Sequence, residues 1–368
     1  MKLGFIGFGK STNRYHMPFV EASGEFEVVG FYTRGSRHFD MPYPSYNQNI
    51  QRFDSVEALL CSDVEVIAVT TPASSHYEYA KQAILAHKHV IVEKPFCDTL
   101  GQAKELYQLA EQKQVKITPY QNRRFDSDFL TIKAVLQRKD LGRVMEIESN
   151  HTHYRPDGAD YSGHQYDGSV YGHAVHFIDQ IVSLYGEPDS ILYDVTNHKN
   201  YYIGAGKRFG EYADDTHSEQ NKVPEDYYDI KLIYGNLRVR VRHSQLVVKE
   251  PPRWIINATE ATVEKYFIDQ QERDLKQGIF LDTPSFGQDS PEGICTLYFK
   301  DHQEVIAANY HHYTQFYKNV KLWIEGNAEA PVSKPEALVV MHILETIVNK
   351  QAFKPLGILP FIKDEARR

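Results

Sequence analysis

Residues Leu3–Thr12 read Leu-Gly-Phe-Ile-Gly-Phe-Gly-Lys-Ser-Thr, a short apolar strand that runs straight into Gly7-Phe8-Gly9. Ser11-Thr12 then starts a helix whose apolar face would include Met17 and Val20. Strand, tight glycine turn and helix N-terminus together make an anion site, because small residues let the backbone approach a pyrophosphate and the unpaired N–H groups favour its charge. The pattern favours a dinucleotide, and with it a redox enzyme. Its third glycine is replaced by Thr12, however, and a bare G-x-G also occurs in ordinary strand–turn–helix units.

A chain of 368 residues accommodates two domains of ordinary size. With 42% hydrophobic and 24% charged residues it reads as a globular protein with ample core, and the net charge of −8 speaks against nucleic acid as a partner. No apolar run reaches the length of a membrane span, and Met1-Lys2 leads into a core strand rather than a signal peptide, so no membrane partner is expected. Cys61, Cys97 and Cys295 are odd in number and form no CxxC, which fits reduced thiols in cytoplasm.

To about Tyr120 the pattern alternates. Glu27–Thr33, Val64–Thr70 and His89–Glu93 are Val/Ile-rich runs of the kind buried parallel strands require. Helical stretches, Ser74–Ala86 and Asp98–Lys113, lie between them, the second opening on the capping-box pattern Thr99-x-x-Gln102. A doubly wound parallel sheet is predicted over residues 1–120. Over 121–368 the texture changes. Helices at Asp128–Gln137 and Gly172–Tyr185 flank the strand Val144–Tyr154, and strand-like segments Ser190–His198, Tyr227–Tyr234, Leu237–Val248 and Ile294–Phe299 follow. Leu237-Arg-Val-Arg-Val-Arg alternates strictly, as a sheet with one wet face does. The prediction is a second α/β domain with a mostly antiparallel sheet, closed by helices at Thr314–Glu325 and Lys334–Lys350. Asn200–Glu225 reads as a surface excursion, and the apolar tail Phe353–Ile362 as a segment that docks on the body or on a partner subunit.

Three strand ends carry candidate chemistry. After the second strand comes Thr33-Arg34-Gly35-Ser36-Arg37, with no carboxylate to hold a ribose 2′-hydroxyl. Arg34, aided by Ser36 or Arg37, can instead hold a 2′-phosphate, which favours NADP over NAD; a solvated basic loop is the alternative. The third strand ends in Thr70-Thr71-Pro72-Ala73-Ser74-Ser75-His76, whose hydroxyls face the ligand crevice of such a fold, or whose Ser74 simply caps the next helix. The fourth ends in Glu93-Lys94-Pro95, a lysine either beside the cofactor or merely at a strand end. On the helix from Gly172, residues His173, His176, Asp179 and Gln180 make a polar stripe among apolar positions, which is a solvent face or the wall of a site.

These motifs, with Tyr120-Gln121-Asn122-Arg123-Arg124-Phe125 at the junction and a later His176-x-x-Asp179, occur in an order and spacing that resembles the glucose–fructose oxidoreductase/inositol dehydrogenase/MocA family. Asn-Arg-Arg-Phe-Asp, Tyr154-Arg155-Pro156 and Tyr266-x-x-Asp269-x-Gln271-Glu272 look closest to its branch of NADP-dependent scyllo-inositol dehydrogenases. The resemblance covers essentially the whole chain. It implies a Rossmann domain followed by an α/β domain whose open sheet serves oligomerisation, hence a homodimer or homotetramer. It also implies an NADP-dependent dehydrogenase or reductase acting on a polyol, inositol or sugar. The cofactor would meet Gly7, Phe8, Gly9, Lys10, Ser11 and Thr12, then Thr33, Arg34 and Arg37, then Thr70, Thr71, Pro72 and His76, and finally Glu93, Lys94 and Asn122. Lys94 becomes the active-site lysine and His176 the acid/base, with Tyr154, Arg155, Tyr171 and Asp179 as further substrate contacts. Many family members carry an Asp four residues before this histidine, where the present chain has Gly172. Tyr171, His173 or Asp167 compensates, or the branch works with Lys and His alone, or the chain is a cofactor-binding sensor with little turnover. His151 and His153, with His164, His173 and His176, invite a metal reading. Their spacing fits no standard zinc pattern, and the family's hydride transfer needs no metal, so none is expected.

Overall fold

The computed structural model describes residues 1–34, 50–156, 166, 168–198, 225–289, 293–310 and 312–361. Gly35, Ser36, Arg37, His164, Asp167, Ile362 and nearly all of the excursion at 200–225 lie outside these residues. The chain divides into two compact units, one of Met1–Leu130, Asp269–Asp289 and Tyr310–Met341, the other of Thr131–Ile268, Ser290–Asn309 and His342–Arg368.

The first unit is built on six strands, β1 (Lys2–Ile6), β2 (Glu27–Tyr32), β3 (Gln51–Arg52), β4 (Val66–Val69), β5 (His89–Val92) and β6 (Ile117–Pro119). They pair in the order β3-β2-β1-β4-β5-β6, every pair parallel. This is the doubly wound order predicted, with β2, β1, β4 and β5 delivering their carboxyl ends to one edge. Leu3, Phe5 and all of β4 are buried, as strands covered on both faces must be. Helix α1 (Met17–Ser23) is preceded by a π-helical turn at Thr12–His16 and stops at Gly24, whose φ of 68° lies in the left-handed region. Met17 and Val20 are fully buried in a cluster with Phe19, Tyr313, Phe316 and Tyr317. The segment Thr314–Ile324, predicted as a late helix, therefore packs with the first unit, as does the short helix Gln271–Gln277. After α2 (Val56–Leu60) and α3 (His76–Leu85), α4 (Leu100–Lys113) opens on the expected reciprocal cap, with the Gln102 N–H donating to Thr99 Oγ1 at 3.2 Å and the Thr99 N–H to Gln102 Oε1 at 3.3 Å.

The second unit contains α5 (Ser127–Val135, which begins in the first), α6 (Val175–Tyr185) and eight strands. The strands are β7 (Val144–Thr152), β8 (Ser190–Thr196), β9 (Tyr227–Tyr234), β10 (Leu237–Ser244), β11 (Trp254–Ala258), β12 (Ala261–Lys265), β13 (Cys295–Phe299) and β14 (Gln303–Ile306). Their order is β14-β13-β12-β11-β7-β10-β9-β8, antiparallel except between β7 and β10. The parallel pair arises because α6 and the β8–β9 hairpin intervene between those strands. Leu237, Val239 and Val241 are buried on one face, while Arg238 is exposed and Arg240 is clamped by Asp229 at 2.9 and 3.1 Å. Among the described residues no helix is long and apolar enough to cross a membrane.

Candidate cofactor and active site

The glycine turn is fixed by contact as well as by torsion. Gly7 has a φ of 100°, and a Cβ there would lie 2.7 Å from the backbone carbon of Thr70, so no side chain is tolerated. At Gly9 the opposite holds: a Cβ would meet nothing within 4 Å, which leaves the backbone open to a ligand. Thr12, in the place of the third glycine, is buried and joins its hydroxyl to that of Thr70 at 2.7 Å. Thr70 in turn donates to the Gly7 carbonyl at 2.9 Å, so the threonine locks the turn to the end of β4. Phe8 stacks on Phe31 of β2 with ring centres 4.0 Å apart, and Lys10 is exposed. The chain's own residues thus fit a dinucleotide: a glycine turn, an open backbone at Gly9 and hydroxyls at the ends of β1 and β4.

Along the same edge, β5 ends in a charged network. Glu93 is buried and accepts from Ser11 Oγ at 2.5 Å, from His16 Nε2 at 2.9 Å and from the Lys94 N–H at 2.8 Å. His16 Nδ1 lies 2.6 Å from the Tyr317 hydroxyl. Burial pushes the Glu93 carboxyl up, but His16, Lys94 and Ser11 outweigh it and hold it at about 2. Lys94 is half-buried; burial pushes its ammonium below the ordinary lysine value, Glu93 and Glu272 act against that shift, and Arg123 adds to it. Arg123 pairs with Asp126 at 3.0 Å and with Glu272, which also accepts from the Tyr15 hydroxyl at 3.0 Å. The Arg123 and Glu272 motifs, 149 residues apart, are therefore one ion-pair network within the first unit.

His76 is buried, with Nδ1 2.7 Å from the Pro95 carbonyl and Nε2 2.8 Å from that of Thr71. Both ring nitrogens are engaged by backbone, so the imidazole clasps the turn after β4 to the turn after β5. Ser74 does not cap α3; a single 3-10 turn at Ala73–Ser75 precedes the helix, and Ser75 Oγ bonds to Thr71 Oγ1 at 2.8 Å instead. Thr33 is half-buried, Pro72 and Thr71 flank this turn, and Asn122 is buried at the start of a 3-10 turn. Arg34 is exposed, with its guanidinium 5.9 Å above the Tyr79 ring; Arg37 falls outside the described residues.

In the second unit a π-helical turn, Val170–Ala174, leads into α6, an irregularity frequent at functional sites. His176, Asp179 and Gln180 are buried, so their stripe is no solvent face. Gln180 Oε1 accepts from Arg253 at 3.2 Å, and Arg253 lies 4.5 Å over Phe177 and 4.3 Å over Trp254. Tyr171 is fully buried with its ring 4.9 Å from Tyr166, a packing position. Tyr154 is exposed, and the Arg155 N–H donates to the Gln245 carbonyl at 2.8 Å. A Cβ at Gly172 would meet nothing within 4 Å. Gly172→Ala is therefore expected to raise stability by about 0.5–1 kcal/mol, read from denaturant midpoints. A loss of stability would show that the glycine is needed for its backbone.

Residues 1–121 match the model of an oxidoreductase family described as having an NAD-binding Rossmann fold, and residues 133–354 match its C-terminal alpha/beta domain. The chain belongs to the GFO_IDH_MocA oxidoreductase family. It is accordingly an NAD(P)-binding oxidoreductase, as its motifs imply. Within this family it is 37% identical over 346 residues to the uncharacterized oxidoreductase YhhX of Escherichia coli (strain K12), over 93% of this chain and 94% of that protein. It is 27% identical to the scyllo-inositol 2-dehydrogenase (NADP(+)) IolW of Bacillus subtilis (strain 168), over 96% of this chain and 94% of that one. The crystal structure of an oxidoreductase from Bacillus cereus superimposes with a TM-score of 0.83 at 34% identity, covering 94% of this chain and 95% of that one.

Proposed function

We propose that the protein is an NADP-dependent dehydrogenase or reductase acting on a secondary hydroxyl or ketone of a polyol, inositol or sugar derivative. The observation that carries this reading is the edge where Gly7–Thr12, Thr70–Thr71 and Glu93–Lys94 converge at the ends of adjacent strands. A bound nicotinamide supplies the hydride chemistry. The residues do the rest. Lys94 holds its positive charge against the developing alkoxide, in a half-buried place where solvent screens it little. His176 takes the hydroxyl proton, or returns it in the reducing direction, and Asp179 orients the ring or accepts a substrate hydroxyl. Glu93, held ionised by His16 and Ser11, keeps the backbone of Lys94 in place.

Arg34 supports the choice of NADP, since a guanidinium after β2 suits a phosphate. Arg34→Ala is expected to weaken NADPH binding about tenfold while leaving NADH nearly unchanged. Fluorescence titration of both cofactors checks this, and equal losses would remove the argument. Localisation in cytoplasm and assembly through the second unit's sheet accompany this reading, and size-exclusion chromatography with light scattering reads the assembly.

A second reading, a cofactor-binding sensor with little turnover, is favoured by Gly172 alone. A screen of inositols, sugars and their keto forms, followed by NADPH absorbance, separates the two. Turnover supports the enzyme, and silence across the panel with intact NADPH binding supports the sensor.

A further inference from the structure

The second unit gathers imidazoles on one face of its sheet. β7 and β10 are paired so that His243 stands beside His151. His153 follows two residues after His151 and so returns to the same face. Its N–H donates to the Ser244 carbonyl at 3.0 Å, which carries the pairing past the strand end. One nitrogen from each of His151, His153 and His243 lies within 4.8 Å of the other two. The rings are 5.2 to 5.5 Å apart, and His173, from the π-helical turn, stands 5.3 Å from His151 and 5.0 Å from His243.

Simple packing accounts poorly for this grouping, since neighbouring imidazoles repel one another once charged. The Nδ1 atoms of His151 and His243 are 3.2 Å apart. Two nitrogens on one tetrahedral zinc, at bonds of about 2.0–2.1 Å, sit roughly 3.3–3.4 Å apart. His243 Nδ1 also lies 2.7 Å from the His151 carbonyl, so in the metal-free protein this nitrogen carries a proton. A cation bound at this nitrogen requires the other neutral tautomer, with the single ring proton moved to Nε2. The wall behind His243 is Tyr228, fully buried, with its ring 5.1 Å from the imidazole and its hydroxyl lacking any hydrogen-bond partner among the described residues. A buried hydroxyl left in that state marks a place completed by water or a ligand.

We propose that His151, His153 and His243 bind a divalent transition metal of the zinc class through three imidazole nitrogens, leaving a fourth position for water or a ligand oxygen. Hard cations such as Mg²⁺ and Ca²⁺ want oxygen donors and do not suit this set, whereas three imidazoles with an open position suit zinc. Sequence spacing argues against a metal because the histidines it groups with His151 and His153 do not include His243. The third ligand comes from a strand 92 residues away, placed by register.

The test is direct metal binding to the full chain, stripped with a chelator and dialysed. On titration with Co²⁺, about one equivalent is expected to develop the visible d–d bands of a four- or five-coordinate site, which Zn²⁺ then bleaches. His153→Ala and His243→Asn are each expected to weaken Co²⁺ binding about 100-fold or more, while His302→Ala, at an exposed site, leaves it unchanged. NADPH binding on the same samples reports folding and keeps the outcome separate from the cofactor reading. Should His243→Asn fail to fold, the half-buried His153 carries the test. Absence of the Co²⁺ bands in the wild-type chain, or bands that persist in His153→Ala, overturns the proposal.

Discussion

Lys94→Ala is expected to lower kcat by about 10²–10³-fold while the NADPH dissociation constant moves less than about threefold. Lys94 follows the end of β5, where burial and Arg123 push its ammonium down and Glu93 and Glu272 oppose that shift. Stability supplies an independent check with a definite sign. Burial leaves the folded-state pKa of Lys94 below its unfolded value, so the folded chain binds that proton less well than the unfolded one. Its contribution is therefore unfavourable at neutral pH, and it is relieved as pH rises through the depressed folded pKa toward 10.5. Lys94→Met should then melt no lower than the wild type at neutral pH despite losing turnover. Turnover within a few-fold of wild type would remove Lys94 from the chemistry, and a large fall in stability would recast it as structural.

His176→Ala is expected to cost about 10²–10⁴-fold in kcat/KM, the range for losing a general acid/base. His176 is buried in the first turn of α6, on the stripe that includes Asp179 and Gln180. The distinguishing readout is the pH profile in the oxidising direction. Wild-type activity should fall toward acid pH as the proton acceptor is lost, and His176→Asn should lose that limb along with the rate. A variant that retains the wild-type profile at a reduced rate would mean that another group moves the proton.

Much of this could be read from residues in line. The Gly7–Gly9 turn, the strands over Glu27–Tyr32, Val66–Val69 and His89–Val92, and the Thr99–Gln102 cap all follow from local pattern, and the six-stranded order confirms the doubly wound fold. What escaped is short or joined from afar. β3 is two exposed residues, Gln51 and Arg52, with no apolar signal, and β6 is three residues ending in Pro119. The β11–β12 hairpin is interrupted by polar residues such as Asn257 and Glu264. Helix Thr314–Ile324 is legible as a helix, yet that its Phe316 and Tyr317 pack with Phe19 of α1 is a tertiary fact. The same holds for the site. Glu93 and Lys94 are visible in the sequence, but His16, Arg123 and Glu272 become their neighbours only through folding. His243 carried no signal beyond its place in an alternating strand.

Hydride exchange between a secondary carbinol and a nicotinamide leaves a record that isotope transfer reads. The full chain is incubated with NADP and inositols or sugars deuterated at each carbinol carbon, and the reduced cofactor is examined by NMR. Deuterium at nicotinamide C4, from one carbinol position and lost with Lys94→Ala, is the predicted result. Firm NADPH binding with no deuterium transferred from any member of the panel, in either direction, would contradict it.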